Sequence, residues 1–277
     1  MNIFLQRYKE QLGKEYPELE KNLGFRPLQS IRVNTLKIKE EELVRRLQEK
    51  QVKVEKISWL KNGYDIIKTP FNIVSSSEYL QGYFFIQEKA SQLPVKILNP
   101  KPEDLVLDCC AAPGAKTTQI AQEMQNKGRL VAMDFKQERI YALKNNMERC
   151  GVKNAILYHH DARNIESLGL KFDKILVDAP CSGNFTQEKD WFSKRKIQDV
   201  EFNVKKQKTI LQSAINSLKP KGTLVYSTCS LETEEDEGII EWALKNFEVK
   251  AEGATKLWPH RNKTQGFFAA KLKKSDP

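Results

Sequence analysis

Phe172-Asp173-Lys174-Ile175-Leu176-Val177-Asp178-Ala179-Pro180-Cys181-Ser182-Gly183 is the stretch from which the rest of the chain can be read. Ile175, Leu176 and Val177 form an apolar run, rich in β-branched residues and flanked by polar ones. That pattern predicts a buried strand of a parallel sheet. The strand runs out into Asp178, Pro180 and Cys181. Ligands of open α/β sheets sit just beyond the carboxyl ends of the strands. An acid and a thiol therefore leave the sheet where chemistry is expected.

On both sides of this strand the chain alternates apolar runs with helical patterns. Further strands are predicted over residues 105–108, 129–133, 155–158 and 223–227. Residues 247–249 and 266–272 are expected to close the sheet, the last antiparallel. The alternation predicts a doubly wound, Rossmann-like α/β fold. Upstream, residues 1–24 read as a charged helix and 40–50 as a second helix. Alternating Ile31, Val33 and Thr35 predict a strand with Arg32 on its other face. Val52 and Val54, and then residues 64–67, suggest two more strands. The composition changes at Thr69-Pro70, which places a small N-terminal α/β domain over residues 1–74 and a larger domain over residues 75–277. A helix is expected over residues 89–98, stopped by Pro100 and Pro102.

The chain has 277 residues and a formal net charge of +10. A basic surplus draws polyanions, of which nucleic acid is the commonest. No apolar run reaches the roughly 20 residues of a membrane span, and the first residues lack an apolar signal core. A cytoplasmic protein with no membrane partner is expected, and a monomer is favoured. The five cysteines are Cys109, Cys110, Cys150, Cys181 and Cys229, none in Cys-x-x-Cys spacing, so no metal site is expected.

After the strand at residues 105–108 comes Asp108-Cys109-Cys110-Ala111-Ala112-Pro113-Gly114-Ala115-Lys116-Thr117-Thr118. Gly114 and its small neighbours suit a close approach of backbone to a ligand. Two of the three glycines of a dinucleotide fingerprint are missing, and so is a phosphate loop. Asp134 ends the next strand and is placed to accept hydrogen bonds from ribose hydroxyls. Asp108, Asp134, Asp161 and Asp178 close four consecutive strands. Singly each suits a cap or turn; together they form a nucleoside-shaped rim. With no second glycine for a pyrophosphate, S-adenosyl-L-methionine fits better than a dinucleotide.

Cys181 follows one strand and Cys229 the next, so both thiols are expected at one sheet edge. A thiolate beside S-adenosylmethionine in a basic protein suggests a particular reaction. Carbon 5 of cytosine is a poor nucleophile until a thiolate adds at carbon 6, after which carbon 5 can accept a methyl group. Asp178 is placed to hydrogen-bond the ring at nitrogen 3 or at its amino group. The base must be single-stranded or flipped out to be reached. The acids that follow Cys229 (Glu232, Glu234, Glu235, Asp236 and Glu237) are expected to compensate the dipole of the next helix.

In this order and at these spacings the residues resemble the Nol/Nop/Sun family of RNA cytosine-5 methyltransferases. Arg32-Val33-Asn34-Thr35-Leu36-Lys37 is similar to the family's N-terminal signature, and Gln87 and Ser91 to the segment leading into its catalytic domain. Cys110 to Lys116 resembles the cofactor loop. Asp178 to Gly183 and Ser227-Thr228-Cys229-Ser230 resemble the two thiol motifs. The resemblance implies that Cys229 is the nucleophile and that Cys181 assists release of the methylated RNA. It implies that Cys110, Ala111, Ala112, Pro113, Gly114, Ala115 and Lys116, with Asp134, Arg139, Asp161 and Asp178, bind S-adenosyl-L-methionine. Ala115 stands where the family usually has glycine. Asn184-Phe185 departs from the usual Thr-Gly, and Asp236 from the usual Asn. The short length resembles the archaeal tRNA branch, so tRNA is favoured over rRNA as substrate. DNA methylation would promote the Pro-Cys thiol, Cys181; a non-catalytic RNA-binding or assembly factor is the remaining alternative. Expected RNA contacts are Arg26, Arg32 and Lys37, with Lys194 to Lys196, Lys205, Lys206 and Lys208 along phosphates and Trp191 and Phe192 under a base. His159 and His160 are expected to pack or face solvent.

Overall fold

β-Branched and leucine-rich runs build the central sheet, and the residues between them build its two covering layers. A computed structural model describes residues 2–276. The chain opens with helices α1 (Ile3–Leu12) and α2 (Tyr16–Lys21), which split the single helix expected over residues 1–24. The break falls at Gly13, whose φ of 52° is costly for any residue with a side chain. A four-stranded antiparallel sheet follows, made of β1 (Ser30–Val33), β2 (Lys53–Lys56), β3 (Gly63–Lys68) and β4 (Phe84–Ile86) in the order β2-β3-β1-β4. Helices α3 (Glu40–Glu49) and α4 (Ser77–Leu80) lie within this module. Because β4 pairs with β1, the small sheet runs to residue 86, past the boundary expected at 74. The helix expected over residues 89–98 is a 3-10 turn, Ala90–Gln92, and then α5 (Leu93–Leu98).

The larger sheet comprises β5 (Leu105–Asp108), β6 (Arg129–Asp134), β7 (Ala155–His159), β8 (Phe172–Asp178), β9 (Leu218–Thr228), β10 (Val249–Leu257) and β11 (Phe267–Lys274). Its order is β10-β11-β9-β8-β5-β6-β7. Strands β7, β6, β5, β8 and β9 are parallel, and β11 is antiparallel to β9 as expected. The strand expected at residues 247–249 begins only at Val249, because Phe247 still terminates a helix. Six of the nine residues of β10 are exposed, so this edge strand has no apolar run to announce it. Helices α6 (Ala115–Glu123), α7 (Gln137–Cys150), α8 (Trp191–Lys194), α9 (Ile197–Asn216), α10 (Glu237–Asn246) and α11 (Pro259–Asn262) complete the fold. Ile175, Leu176 and Val177 are fully buried. Truncating such a residue to alanine costs about 2–5 kcal/mol.

Two packing features place the site. The strand order reverses at β5, which leaves a crevice above β5 and β8 where ligands bind in such sheets. Asp178 on β8 is in register with Ser227 on β9, so the loops carrying Cys181 and Cys229 leave the sheet level with each other. Helix α1 packs on the larger domain, not on the small sheet. Phe4 and Tyr8 are buried, with the Phe4 ring 4.6 Å from Trp191 and the Tyr8 ring 5.8 Å from Trp258.

Candidate active site

The two thiols meet. Cys181 Sγ lies 3.2 Å from Cys229 Sγ at the end of β8 and β9. The hydrogen bond from Cys181 lowers the pKa of Cys229, and the Gln187 amide and the Lys116 ammonium act in the same sense; burial and Asp178 oppose them. Cys181 is pushed well above the ordinary thiol range by that same bond, by burial and by the Glu235 carboxylate. The arrangement therefore favours a thiolate on Cys229 and an S–H on Cys181. Beside them, Asp178 accepts from Lys116 Nζ at 2.7 Å and from Ser227 Oγ at 2.8 Å. Lys116 also reaches Ser91 Oγ at 3.0 Å.

The unusual Asn184-Phe185 pair has a structural reason. Asn184 Nδ2 donates to the Cys229 carbonyl at 2.6 Å and to the Gly266 carbonyl at 3.0 Å, tying the two thiol loops to β11. Phe185 is buried beside Tyr8 and Phe192, where it anchors α1. Trp191 is also buried, and its indole N–H donates to the Ser182 carbonyl at 2.8 Å. It is a wall of the thiol loop, and the expected base-stacking role is unavailable to it.

From the thiols a cleft of about 370 Å³ opens across the sheet edge. It is lined by Cys110, Ala112, Asp134, Arg139, Asp161, Asp178, Cys181 and Cys229, all singled out from the sequence. Asp134 accepts the Ala112 N–H and the Lys136 N–H, both at 3.1 Å, and lies 3.3 Å from Arg139. Asp161 pairs with Arg163 at 2.5 Å, and that guanidinium holds its carboxyl below the usual range. Phe135, Lys136, Ala162, Arg163, Lys206 and Ile210 also line it without having been expected as cofactor residues. Phe135 offered a signal, an apolar residue directly after a strand-end acid and 60% exposed; Ile210 offered none.

Of the loop expected to hold the cofactor, Cys110 and Ala112 line the cleft, and Ala111, Pro113, Gly114, Ala115 and Lys116 lie in the turn and first helical residues beside it. Gly114 has φ 110°, and a Cβ there would meet Leu143 at 3.1 Å, so the glycine serves the contact between α6 and α7. The Ala115 carbonyl accepts from Arg32, away from the cleft. Asp108 is fully buried, accepts from Thr117 Oγ1 at 2.7 Å, and leaves its other oxygen unpartnered. Burial pushes its pKa up to about 7. It braces the loop from below and takes no part in the rim.

Arg32 is not a free RNA contact. It is fully buried and donates to Gln87, Gln122, the Ala115 carbonyl and Thr118, riveting the small sheet to α6. Lys37 donates to the Gln81 and Arg149 carbonyls, and Arg26 is exposed. The acids after Cys229 are not dipole compensation apart from Glu237, the only one in the first turn of α10. Glu232 pairs with Arg7 at 3.0 Å and Asp236 with Lys256 at 2.9 Å. His159 and His160 rest on backbone carbonyls. Among the described residues no cluster of His, Cys, Asp and Glu is placed to hold a metal, and no helix is long and apolar enough to cross a membrane.

Comparison with known proteins agrees with this geometry. Residues 95–273 match the family described as 16S rRNA methyltransferase RsmB/F, and residues 2–89 match the N-terminal domain of 16S rRNA methyltransferase RsmF. The chain belongs to the RsmB/F–Nol/Nop/Sun family of RNA cytosine-5 methyltransferases. The expected fold class is that of the family, a methyltransferase sheet with a small N-terminal α/β domain. Among its RsmB/F relatives, the ribosomal RNA small subunit methyltransferase F of Vibrio parahaemolyticus is 37% identical over 90% of this chain and 58% of its own length. The tRNA (cytosine(72)-C(5))-methyltransferase of Pyrococcus horikoshii is 38% identical over 74% of this chain and 56% of its own. The chain thus spans little more than half the length of the curated relatives it matches. A crystal structure of a methyltransferase homolog from Pyrococcus horikoshii superposes with a TM-score of 0.91 at 37% identity, covering 98% of this chain and 94% of that one. NSun6 from the same organism, solved with SFG, gives 0.91 at 27% identity over 99% and 98%.

Proposed function

We propose that this chain transfers a methyl group from S-adenosyl-L-methionine to carbon 5 of a cytosine in RNA, through a covalent adduct on Cys229. The observation that carries this reading is the pair of thiols 3.2 Å apart, beside Asp178, at the buried end of a nucleoside-sized cleft. The cleft suits the cofactor. Asp134 and Asp161 offer carboxylates for ribose and base, and Phe135 offers an aromatic face. NSun6, a relative of similar fold, was solved with SFG, an analogue of this cofactor. When bound, S-adenosylmethionine would supply an electrophilic methyl group.

The chain's own groups perform the rest. The Cys229 thiolate adds to carbon 6, and the electron pair of the ring double bond moves toward carbon 5. Asp178 accepts a hydrogen bond from the cytosine amino group, while Lys116 and Ser227 hold the carboxylate still. After methyl transfer a base removes the proton from carbon 5, and the carbon–sulfur bond to Cys229 breaks. Cys181, held protonated, supplies the acid side of that release. The cleft rim carries Lys136, Arg163 and Lys206, cations suited to phosphate groups.

Ribosomal RNA is the better-supported substrate, which reverses the preference for tRNA drawn from chain length. The relatives that cover 90% of the chain are small-subunit rRNA methyltransferases, and the N-terminal module matches that of RsmF. A cytoplasmic location is consistent with these bacterial relatives. The test is tritiated methyl transfer to purified small-subunit rRNA, bulk tRNA and DNA. Label at carbon 5 of rRNA cytosines is expected. Label in tRNA alone restores the first preference, and no label in any nucleic acid favours the assembly-factor reading.

A further inference from the structure

We infer that Glu235 is a positioning residue that brackets Cys181 from both sides and so fixes which of the two thiols is the nucleophile. The Glu235 side chain is fully buried on the segment that follows Cys229. Its Oε1 accepts the Ser182 N–H, the amide directly after Cys181, at 3.0 Å, and Gln207 Nε2 at 3.1 Å. The same Gln207 nitrogen donates to the Pro180 carbonyl, the peptide directly before Cys181, at 3.0 Å. Oε2 accepts Ser182 Oγ at 2.5 Å. Burial pushes the Glu235 carboxyl up, and the hydrogen bonds from the Ser182 N–H, the Ser182 hydroxyl and Gln207 Nε2 oppose that push by favouring the ionised form. One carboxylate thus pins the two peptide groups around Cys181 to the loop that carries Cys229, in a place closed to water.

The consequence is chemical as well as geometric. Two equivalent thiols at 3.2 Å would share one ionisation with no preference. The charged groups around this pair are unequal. Cys229 faces Asp178 and, across it, the Lys116 ammonium, with the Gln187 amide as a donor. Cys181 faces the Glu235 carboxylate and the Tyr226 side chain from β9, while the Arg195 guanidinium is held on the Ser182 carbonyl and Lys206 lines the same cleft. A negative charge fixed behind Cys181 keeps its proton in place. That proton serves Cys229 as a hydrogen bond before attack, and it is the one required for release afterwards. This inference rests on the covalent mechanism above for its RNA readout, but not for its thiol readout.

Two measurements on Glu235→Gln test it, alongside Cys181→Ala as a reference for stalled release. The first is the rate of iodoacetamide alkylation at each cysteine across pH, read by mass spectrometry of peptides without RNA. Removing the charge is expected to raise the Cys181 alkylation rate at neutral pH by about tenfold, with a smaller change at Cys229. The second is denaturation-resistant protein–RNA adduct in the presence of cofactor. Adduct is expected to accumulate as in Cys181→Ala, because release loses its proton whereas attack loses only a hydrogen bond, so multiple-turnover methylation falls further than the single-turnover rate. A purely structural role lowers both turnovers together and leaves the Cys181 alkylation profile in place; that result overturns the inference. Absence of adduct even in Cys181→Ala sinks the covalent mechanism, and the alkylation profiles still decide the role of Glu235. If Glu235→Gln does not fold, Gln207→Leu carries the same two readouts. It frees the Pro180 carbonyl with the charge in place, so adduct should build up with the Cys181 profile unmoved; no build-up counts against the bracket.

Discussion

The two ends of the cleft are built differently. At the thiol end, Ser182, Asn184, Glu235 and Ser227 are buried and joined by hydrogen bonds that cross between β8, β9, α9 and β11. At the other end, Phe135 is 60% exposed, and Arg139 and Arg163 reach in from solvent to Asp134 and Asp161. Dipoles that are already oriented need no reorganisation when charge develops on a reacting group. Side chains exposed at a cleft mouth can move aside as a ligand enters. The closed end is therefore built for bond making and the open end for capture. Substitutions at the first should depress the chemical step, and those at the second should weaken cofactor binding.

The sharpest break falls at Cys229. Cys229→Ala should lower methyl transfer by about a thousandfold or more, since the group that forms the bond is lost. It should also yield no denaturation-resistant RNA adduct, whereas Cys181→Ala accumulates one. Adduct from Cys229→Ala alone would invert the two thiols' roles. Lys116→Met should come next, at about a hundredfold in the single-turnover rate. Asp178 then loses its partner at 2.7 Å, and Cys229 loses a cation that lowers its pKa. The pH at which Cys229 becomes reactive should rise accordingly, as alkylation rates would report; an unchanged profile would mean that Lys116 serves only Asp178. Asp134→Asn belongs to the open end. Its cofactor Kd, measured by calorimetry, should weaken about tenfold, while the single-turnover rate at saturating cofactor changes little. A fall in that saturated rate would erase the division between the two ends.

The sequence is informative where one residue type serves one physical need. An apolar β-branched run must be buried, so five parallel strands and the closing antiparallel strand could be placed. A thiol directly after two neighbouring strands must end near its partner, so Cys181 and Cys229 could be paired. Burial of polar residues was the part that could not be read. Arg32, Asp108 and Glu235 look in sequence like surface contact, rim acid and helix-dipole acid. Each is fully buried, and Arg32 and Glu235 are satisfied by residues far along the chain: Gln87 and Gln122 for Arg32, Ser182 and Gln207 for Glu235. Such partners follow from the packing of one layer on another, which no local window contains. Strand β10 was displaced for the opposite reason, because an exposed edge strand has little apolar pattern to show.

Asp108 gives the smallest effect and tests the split among the strand-end acids. Asp134, Asp161 and Asp178 line the cleft, while Asp108 lies beneath it with one oxygen unpartnered. Its pKa is pushed up to about 7 by burial, from the ordinary 3.8. A carboxyl whose folded pKa is raised contributes stability that is fully present below its unfolded pKa and is lost as pH rises through the folded value. The parent should therefore lose stability between about pH 4 and pH 8 through Asp108. Glu88, raised to about 7, and the raised acids Glu232, Glu235 and Asp236 act in the same sense. Those four are common to parent and variant, so they cancel in the difference. Asp161 and Asp173 are shifted downward, and their contribution changes only at lower pH. Asp108→Asn removes one ionisation and keeps an acceptor for the Thr117 hydroxyl. Its unfolding free energy in urea should fall less steeply from pH 5 to pH 8 than the parent's, by about 1–2 kcal/mol across the range. Parallel curves would mean that Asp108 ionises freely in the folded protein, which its enclosure beneath the cofactor loop does not allow.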